Sequence, residues 1–224
     1  MPMNHRLLRP RARAGDPYFA SVRPLLHLDG TATDSSRYGV EFNEPPGSFT
    51  GNARFGTAAY SVDGGQGLAS TAQSIPDMST GDYTVEAWVY RPTADSVYAN
   101  VVCLSAAASL ASFTGGLNLY IDQDGTVNAN NGLDTALAGG TVPVGEWRHV
   151  AVVMSGGTST LYVDGTPVAN ASQPPEPGPY YVTVGYVPTV GFASDLVVDE
   201  LRITVGVARY GAAFTPAAAE FPSR

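Results

Sequence analysis

Apolar and polar residues alternate along several short stretches of this chain. Every second side chain is apolar along residues 83–90, and the same period recurs in 117–122, 160–164 and 196–205. A period of two is typical of a β-strand with one buried face. Residues 147–154 form a longer run that is mostly apolar on both faces. We therefore expect β-strands at these five places.

The alternation also predicts which side chains share a face. One face of the strand at 83–90 is predicted to hold Tyr83, Val85, Ala87 and Val89. In the strand at 196–205, the predicted apolar face consists of Val197, Leu201, Ile203 and Val205, and Asp199 interrupts it. Because side chains on a strand alternate between faces, these assignments depend on an unbroken register.

Turn-forming residues separate the predicted strands. Hairpin turns are predicted where Asp, Asn or Gly precedes a glycine, at Asp124–Gly125, Asn131–Gly132, Gly156–Gly157 and Asp164–Gly165. Residues 63–65 and 174–179 are predicted loops. We find no amphipathic helical stripe with caps. Strands at near-regular spacing without helices predict an all-β fold, an antiparallel two-sheet sandwich.

Charge divides the chain of 224 residues into two parts. All 12 basic residues are Arg, against 20 acidic ones, and the net charge is −8. Residues 1–23 contain five of these Arg, several prolines and one acidic residue. We predict an extended basic docking arm at 1–23, before an acidic sandwich at 24–224. The sandwich ends in an extended segment, Phe214–Arg224, which we call the C-terminal strap.

The composition excludes several classes of protein. A hydrophobic content of 44% is too high for a disordered chain. No apolar run approaches the roughly 18 residues that span a bilayer, so no membrane partner is expected. Cys103 is the single cysteine and has no intrachain disulfide partner. Residues 1–26 lack the apolar core of a secretory signal.

Four arginines near the start of the chain are candidate partner-binding residues. They are Arg6, Arg9, Arg11 and Arg13. A guanidinium group makes paired hydrogen bonds to carboxylates, which favours an acidic protein surface as the partner. Nucleic acid is the less favoured alternative, because no aromatic residue lies among these arginines and the rest of the chain is acidic.

Six short phrases resemble the laminin-G-like branch of the concanavalin A-like lectin/glucanase jelly rolls. They are Leu26–Gly30, Asp34–Ser36, Tyr83–Val89, Glu146–Val152, Leu161–Gly165 and Val198–Ile203. The resemblance implies a jelly-roll sandwich. The ending Thr204–Tyr210, followed by Phe214–Pro216, resembles the version found in tailed-bacteriophage virion proteins. A fold alone does not fix a function, so the sites need their own argument.

The carboxylates do not show the spacing of a retaining glycosidase. Such an enzyme holds two carboxyl groups about 5–5.5 Å apart. Asp199 and Glu200 are adjacent and are predicted to point to opposite faces of their strand. Glu86 has no carboxylate two residues away on either side. The histidines His27 and His149 fit no catalytic or metal-binding spacing, and packing explains them. We expect neither enzyme activity nor a required cofactor.

A structural calcium ion is one hypothesis for the acidic residues of the resembling phrases. Its candidate ligands are Asp29, Asp34, Asp199 and Glu200. Calcium takes six to eight oxygen ligands, so these carboxylates would have to converge. In the alternative, Asp29 and Asp34 cap turns and Glu200 pairs with an arginine.

The favoured function is a non-enzymatic structural protein of a bacteriophage virion, assembled in the host cytoplasm. It would decorate a capsid with its jelly roll outward, as a homo-oligomer or bound in a lattice. Its arm would dock on neighbouring major capsid or tail subunits. The alternative is a glycan-binding adhesion module of a tail fibre or cell surface. Exposed aromatic residues would then contact host glycan, with these candidates: Tyr98, Tyr120, Tyr180, Tyr181 and Tyr186.

Overall fold

The fold comes from a computed structural model that describes residues 15–44, 49–62, 67–94, 98–106, 115–131, 137–172, 174–186 and 195–224. A 3-10 helix occupies Phe19–Ser21. The strands are β1 (Val22–Leu26), β2 (Phe42–Asn43), β3 (Phe49–Thr50), β4 (Ala59–Val62), β5 (Leu68–Ser70), β6 (Tyr83–Tyr90), β7 (Ala99–Ser105), β8 (Gly116–Ile121), β9 (Thr126–Asn130), β10 (Leu137–Thr141), β11 (Trp147–Ser155), β12 (Thr158–Val163), β13 (Thr166–Ala171), β14 (Tyr181–Val184) and β15 (Leu196–Val205). In these parts of the chain, no helical segment has the length and hydropathy of a membrane crossing.

The strands form two antiparallel sheets. One sheet has eight strands in the order β13-β12-β11-β6-β15-β4-β3, and β1 also pairs with β15. The other has seven strands in the order β10-β9-β8-β7-β14-β5-β2. The predicted all-β fold, an antiparallel two-sheet sandwich, is therefore confirmed.

The inner faces of the two sheets enclose one large apolar core. Tyr83, Val85, Ala87 and Val89 of β6 all belong to this core, as the alternation predicts. The other sheet contributes the residues that alternate with its polar positions, among them Leu119 of β8. The period of two is sufficient here because the β6–β11 register is unbroken from Tyr83 to Tyr90.

The faces of β15 differ from the prediction because this strand contains a bulge. Asp199 pairs with Trp88 but Arg202 pairs with Glu86, so two residues of β15 stand opposite one residue of β6. Glu200, in the bulge, has a φ of 52°. As a result Val198, Leu201 and Ile203 face the core. Val197 does not belong to this core, so the predicted apolar face was wrong at that residue.

Two of the predicted hairpin turns have the backbone conformation that a tight turn requires. Asp164 and Gly165 have φ angles of 48° and 74°, and Gly156 and Gly157 have 55° and 85°. Positive φ at both central residues matches the twist of the flanking strands. Residues 63–65 and Gly132 lie outside the described residues, whereas Pro174–Pro179 is a loop as predicted.

Both ends of the described chain pack on the outer face of the eight-stranded sheet. Phe221 of the C-terminal strap forms an apolar cluster with Val22 and Leu25 of β1. Phe214 of the strap packs with Tyr210, which precedes it, against Ala151 and neighbouring residues of β11 and β12. β1 crosses the predicted boundary between residues 23 and 24, so the described part of the arm is integrated into the sandwich. These segments therefore cover part of the outer face of this sheet.

Candidate functional site

The outer face of the seven-stranded sheet carries a contiguous group of amide and aromatic side chains. The group, called here the amide face, consists of Asn100, Asn118, Tyr120, Asn128 and Asn130. These residues belong to β7, β8 and β9, at positions that alternate with core residues. The registers pair Asn118 with Asn130, and Tyr120 with both Asn100 and Asn128. Directly opposed residues on neighbouring strands stand about 4.5–5.5 Å apart at Cβ, so the five side chains are neighbours.

Hydrogen bonds order part of the amide face and leave one acceptor without a partner. The Nδ2 of Asn100 donates to the Oδ1 of Asn118, and the Nδ2 of Asn128 donates to the Thr126 carbonyl at 3.0 Å. The Oδ1 of Asn100 is buried and has no hydrogen-bond partner within the described part of the protein. A buried acceptor of this kind is unusual in a folded protein.

Aromatic rings border the amide face. Tyr98 is 37% exposed, and its ring meets the Tyr120 ring edge to face, with centroids 5.7 Å apart. Burial, together with the nearby charge of Asp122, raises the pKa of Tyr120, which therefore remains a protonated hydrogen-bonding group at neutral pH. Tyr181 pairs with Ser105 farther along the same outer face. The structure thus brings together two of the predicted aromatic candidates, Tyr98 and Tyr120.

The other predicted aromatic candidates have different surroundings. Tyr180 is fully buried in the core, where its hydroxyl donates to the Glu176 carbonyl. Tyr186 is half-buried, and its carbonyl accepts a 2.7 Å hydrogen bond from the Thr183 hydroxyl. Sequence periodicity cannot distinguish these roles, because a tyrosine suits either face of a strand.

The seven strands of this sheet contain no charged residue. The strand carboxylates all belong to the eight-stranded sheet, namely Glu86, Asp199 and Glu200. The amide face can therefore donate and accept hydrogen bonds, but its strands supply no acid or base.

Glu86 lies fully buried on the outer face of the eight-stranded sheet. Its Oε1 accepts from the Nε and Nη2 of Arg202, at 2.9 and 2.8 Å. Its Oε2 accepts from the Tyr210 hydroxyl at 2.8 Å and lies 3.1 Å from the Nε2 of His149. Burial alone would raise the pKa of Glu86, but the charge of Arg202 and the hydrogen bond from His149 lower it to about 2.

Asp16 completes this buried charge cluster from the N-terminal side. Its carboxylate accepts two hydrogen bonds from Arg209, at 3.0 and 2.7 Å, and one from Arg202 at 3.2 Å. Burial opposes ionisation of Asp16, yet the hydrogen bond and charge of Arg209 hold its pKa below the usual range. The cluster holds two carboxylates against two guanidinium groups, so its charges balance and its role is structural.

The four predicted calcium ligands are engaged by protein donors. Asp29 accepts from the backbone N–H groups of residues 57 and 58, and Asp34 from those of residues 25, 36 and 40. Asp199 accepts from residues 54 and 55. Among the described residues, no three His, Cys, Asp or Glu side chains group closely enough to hold a metal ion. Calcium binding stays a prediction, and the capping hypothesis describes Asp29 and Asp34.

Glu200 pairs with a histidine rather than with an arginine. Its Oε1 lies 2.7 Å from the Nδ1 of His27, and its Oε2 accepts from the Phe221 N–H at 2.7 Å. The bulge directs Glu200 toward the strap instead of the core, so the predicted opposite faces of Asp199 and Glu200 were wrong. This pair could not be predicted from the sequence, because the two residues are 173 positions apart. Arg6, Arg9, Arg11 and Arg13 lie outside the described residues.

The sequence of this chain matches one family model. The family model described as the concanavalin A-like lectin/glucanases superfamily matches residues 63–203. No curated protein matches the chain in sequence.

Three solved structures illustrate the shared fold. The binding domain of Paraclostridial mosquitocidal protein 1 has a TM-score of 0.68 at 12% identity, over 86% of this chain and 50% of that one. The receptor binding domain of botulinum neurotoxin D has a TM-score of 0.64 at 13% identity, over 84% and 50%. Trypanosoma rangeli sialidase has a TM-score of 0.60 at 15% identity, over 91% and 31%. This chain spans half or less of each of these proteins, and such identities show the fold alone.

Proposed function

Because this chain belongs to the concanavalin A-like lectin/glucanases superfamily, we propose that it is a lectin-like module that binds a neutral glycan without cleaving it. The observation that carries the proposal is the uncharged amide face. Two of the proteins that share the fold are named as a binding domain and a receptor binding domain, which supports a recognition role.

The chemistry of the amide face suits sugar hydroxyl groups. A carboxamide offers two donors and an acceptor, and a sugar hydroxyl both donates and accepts. The aromatic rings of Tyr98 and Tyr120 can pack against the apolar C–H surface of a pyranose ring. Since the strands carry no charge and the whole chain is acidic, a neutral glycan is favoured over an anionic one.

The carboxylates support binding without cleavage. A glycosidase needs one carboxyl group as an acid and a second as a nucleophile or base, both reaching the substrate. Glu86 and Asp199 share the outer face of the eight-stranded sheet, but both are fully buried. The charge of Glu86 is also neutralised by its arginine partners. Neither lies on the sheet that carries the amide face.

A glycan array probed with the full chain tests the proposal, with calorimetry on any neutral glycan that binds. The substitutions Asn118→Ala and Tyr120→Ala should each lower the affinity about tenfold, because each removes a hydrogen bond or ring contact worth roughly 1.4 kcal/mol. Asn170→Ala is the matched control, since Asn170 is an exposed asparagine on β13 of the other sheet. The glycan should be recovered at full length after incubation.

Two results would contradict this function. The first is an array without a reproducible neutral glycan. The second is a glycan whose affinity falls equally in the Asn170 control and in the two amide-face variants.

A structural role in a bacteriophage virion is the second candidate function. The support from sequence is the ending at Thr204–Tyr210, which resembles phage virion proteins. The support from structure is that residue 16 is anchored: its N–H donates to the Arg224 carbonyl at 2.7 Å, and its carboxylate binds Arg209. An anchored base suits an arm that docks on neighbouring capsid or tail subunits during assembly in the host cytoplasm.

Deleting residues 1–14 tests the docking arm. A deletion of 1–23 would also remove Asp16 and part of β1, so the shorter deletion separates docking from folding. We expect the shortened chain to keep its far-ultraviolet circular dichroism spectrum but to be lost from purified particles. Replacing Arg6, Arg9, Arg11 and Arg13 by alanine should act likewise, whereas Arg37→Ala, at an exposed arginine of the sandwich, should not. Particles that still incorporate the shortened chain would exclude this role for the arm.

A further inference from the structure

Three polar side chains from distant parts of the chain form a hydrogen-bonded series beside β1. His27 directly follows β1, Glu200 lies in the bulge of β15, and Ser223 belongs to the C-terminal strap. The Nε2 of His27 lies 2.8 Å from the Ser223 Oγ, and its Nδ1 lies 2.7 Å from the Glu200 Oε1. A hydroxyl bonded to an imidazole that is itself bonded to a carboxylate is the arrangement that activates a serine nucleophile.

The carboxylate fixes the orientation of the imidazole. Glu200 is 1% exposed, and its second oxygen accepts from the Phe221 N–H at 2.7 Å. A carboxylate held at both oxygens favours the tautomer in which the Nδ1 of His27 carries the proton. The Nε2 of His27 then presents its lone pair to the Ser223 hydroxyl, as a general base must.

Backbone strain is concentrated at the same place. Leu28, next to His27, has a φ of 63°, and Glu200 has a φ of 52°. Among the described residues, only one other non-glycine residue has a positive φ, Asp164 in its hairpin turn. Left-handed backbone at a leucine and a glutamate costs energy, and such strain occurs often at functional sites.

The reacting group is open to solvent. Ser223 is exposed, and the His27 side chain is 19% exposed. The negative charges that act on His27 come from Glu200, Glu220 and Asp29. An anionic substrate would be repelled by these charges, so a neutral one is favoured.

We propose that Ser223, activated by His27 and Glu200, is a nucleophile that takes an acyl group from a neutral carboxylic ester. The Ser223 Oγ bonds to the acyl carbon while its proton passes to the Nε2 of His27. The bond from the acyl carbon to the leaving alcohol oxygen breaks, and that oxygen takes the proton from His27. The products are an acylated Ser223 and the free alcohol. This reactivity does not depend on the proposed glycan binding.

Incubation of the full chain with p-nitrophenyl acetate, followed by peptide mass mapping, tests the proposal. Ser223 should gain one acetyl group, and Ser223→Ala should abolish it. Ser172→Ala, at an exposed serine after β13, should leave acetylation at Ser223 unchanged. His27→Ala should slow acetylation about a hundredfold, within the range of general-base contributions. Circular dichroism checks that each variant is folded.

A second substitution of His27 separates general-base catalysis from a purely structural role. A glutamine at this position can still hydrogen-bond to the Ser223 hydroxyl, but it cannot take up its proton. His27→Gln should therefore slow acetylation about as much as His27→Ala does. A Ser223 that is not acetylated, or is acetylated equally fast without His27, would overturn the proposal. Full acetylation in the His27→Gln variant would also overturn it.

Discussion

Glu86→Ala should lower the free energy of unfolding by about 3–5 kcal/mol, the usual cost of removing one partner from a buried ion pair. The Glu86 carboxylate accepts three hydrogen bonds from Arg202 and Tyr210, and a fourth contact comes from His149. Without it, Asp16 is the one charged partner that the two buried guanidinium groups keep within the described residues. An uncompensated buried cation is costly because the protein interior replaces its hydration poorly.

Urea denaturation at neutral pH measures this effect, and the chain supplies a matched control. Glu146 also forms an ion pair with an arginine, Arg148, but its side chain is 52% exposed. Exposed pairs contribute about 0–1 kcal/mol, so Glu146→Ala should change stability little. If both alanine variants lose equally little stability, the buried cluster does not stabilise the fold.

The cluster also joins segments near both chain ends to the eight-stranded sheet. Asp16 and Arg209 lie outside the strands, yet both bond to groups on the outer face of the central strands β6 and β15. Losing Glu86 should therefore loosen both ends together. Hydrogen exchange of the amides in residues 15–21 and 207–221 should rise together in the Glu86→Ala variant.

Local alternation predicts the strands because it reports which side chains enter the core. The pattern places β6 and β15 at residues 83–90 and 196–205, as the structure has them. It does not reveal the bulge at Glu200, because a strand with one extra residue has the same kinds of residues as a regular strand. The predicted apolar face of β15 was therefore wrong at Val197, before the bulge, and right at Leu201, Ile203 and Val205 after it.

The polar contacts could not be predicted because they join residues far apart in the sequence. Asp16 meets Arg209 across 193 positions, and His27 meets Ser223 across 196. The six phrases that carry the family resemblance nevertheless contain many of these residues, including Glu86, Arg202 and Asp34. The six phrases therefore contain residues of the apolar core. They also contain the buried polar residues that bond the eight-stranded sheet to the segments packed on it.

The amide face could not be predicted from the sequence either. Its asparagines can be read from the sequence, but their adjacency depends on the pairing of β7, β8 and β9. Tyr98 and Tyr120 were candidates because they are aromatic. An asparagine in a strand is uncommon, but only the register shows that the five residues of the amide face share one surface.

Asp199→Asn should stabilise the protein increasingly as the pH rises from 5 to 8. Asp199 is fully buried, and its Oδ1 has no hydrogen-bond partner within the described part of the chain. Burial raises its pKa to about 7, against 3.8 for an unperturbed group. Between these values the unfolded chain has lost the proton that the folded chain still holds, so the free energy of unfolding falls as the pH rises. Each pH unit in this range costs about 1.4 kcal/mol, so the free energy of unfolding should fall by on the order of 3 kcal/mol between pH 5 and pH 8.

Thermal melting at pH 5 and pH 8 measures the effect as the difference between variant and wild type. An asparagine has the same shape and can still accept from the N–H groups of Arg54 and Phe55, but it carries no charge. Asp195→Asn, at an exposed aspartate just before β15, should keep the wild-type fall. His27 acts in the same direction, since its raised pKa gives stability that is lost above about 6.5. The melting temperature of the Asp199 variant should therefore still fall between pH 5 and pH 8, but less than that of the wild type. If the variant and the wild type fall equally, Asp199 is already ionised in the folded protein.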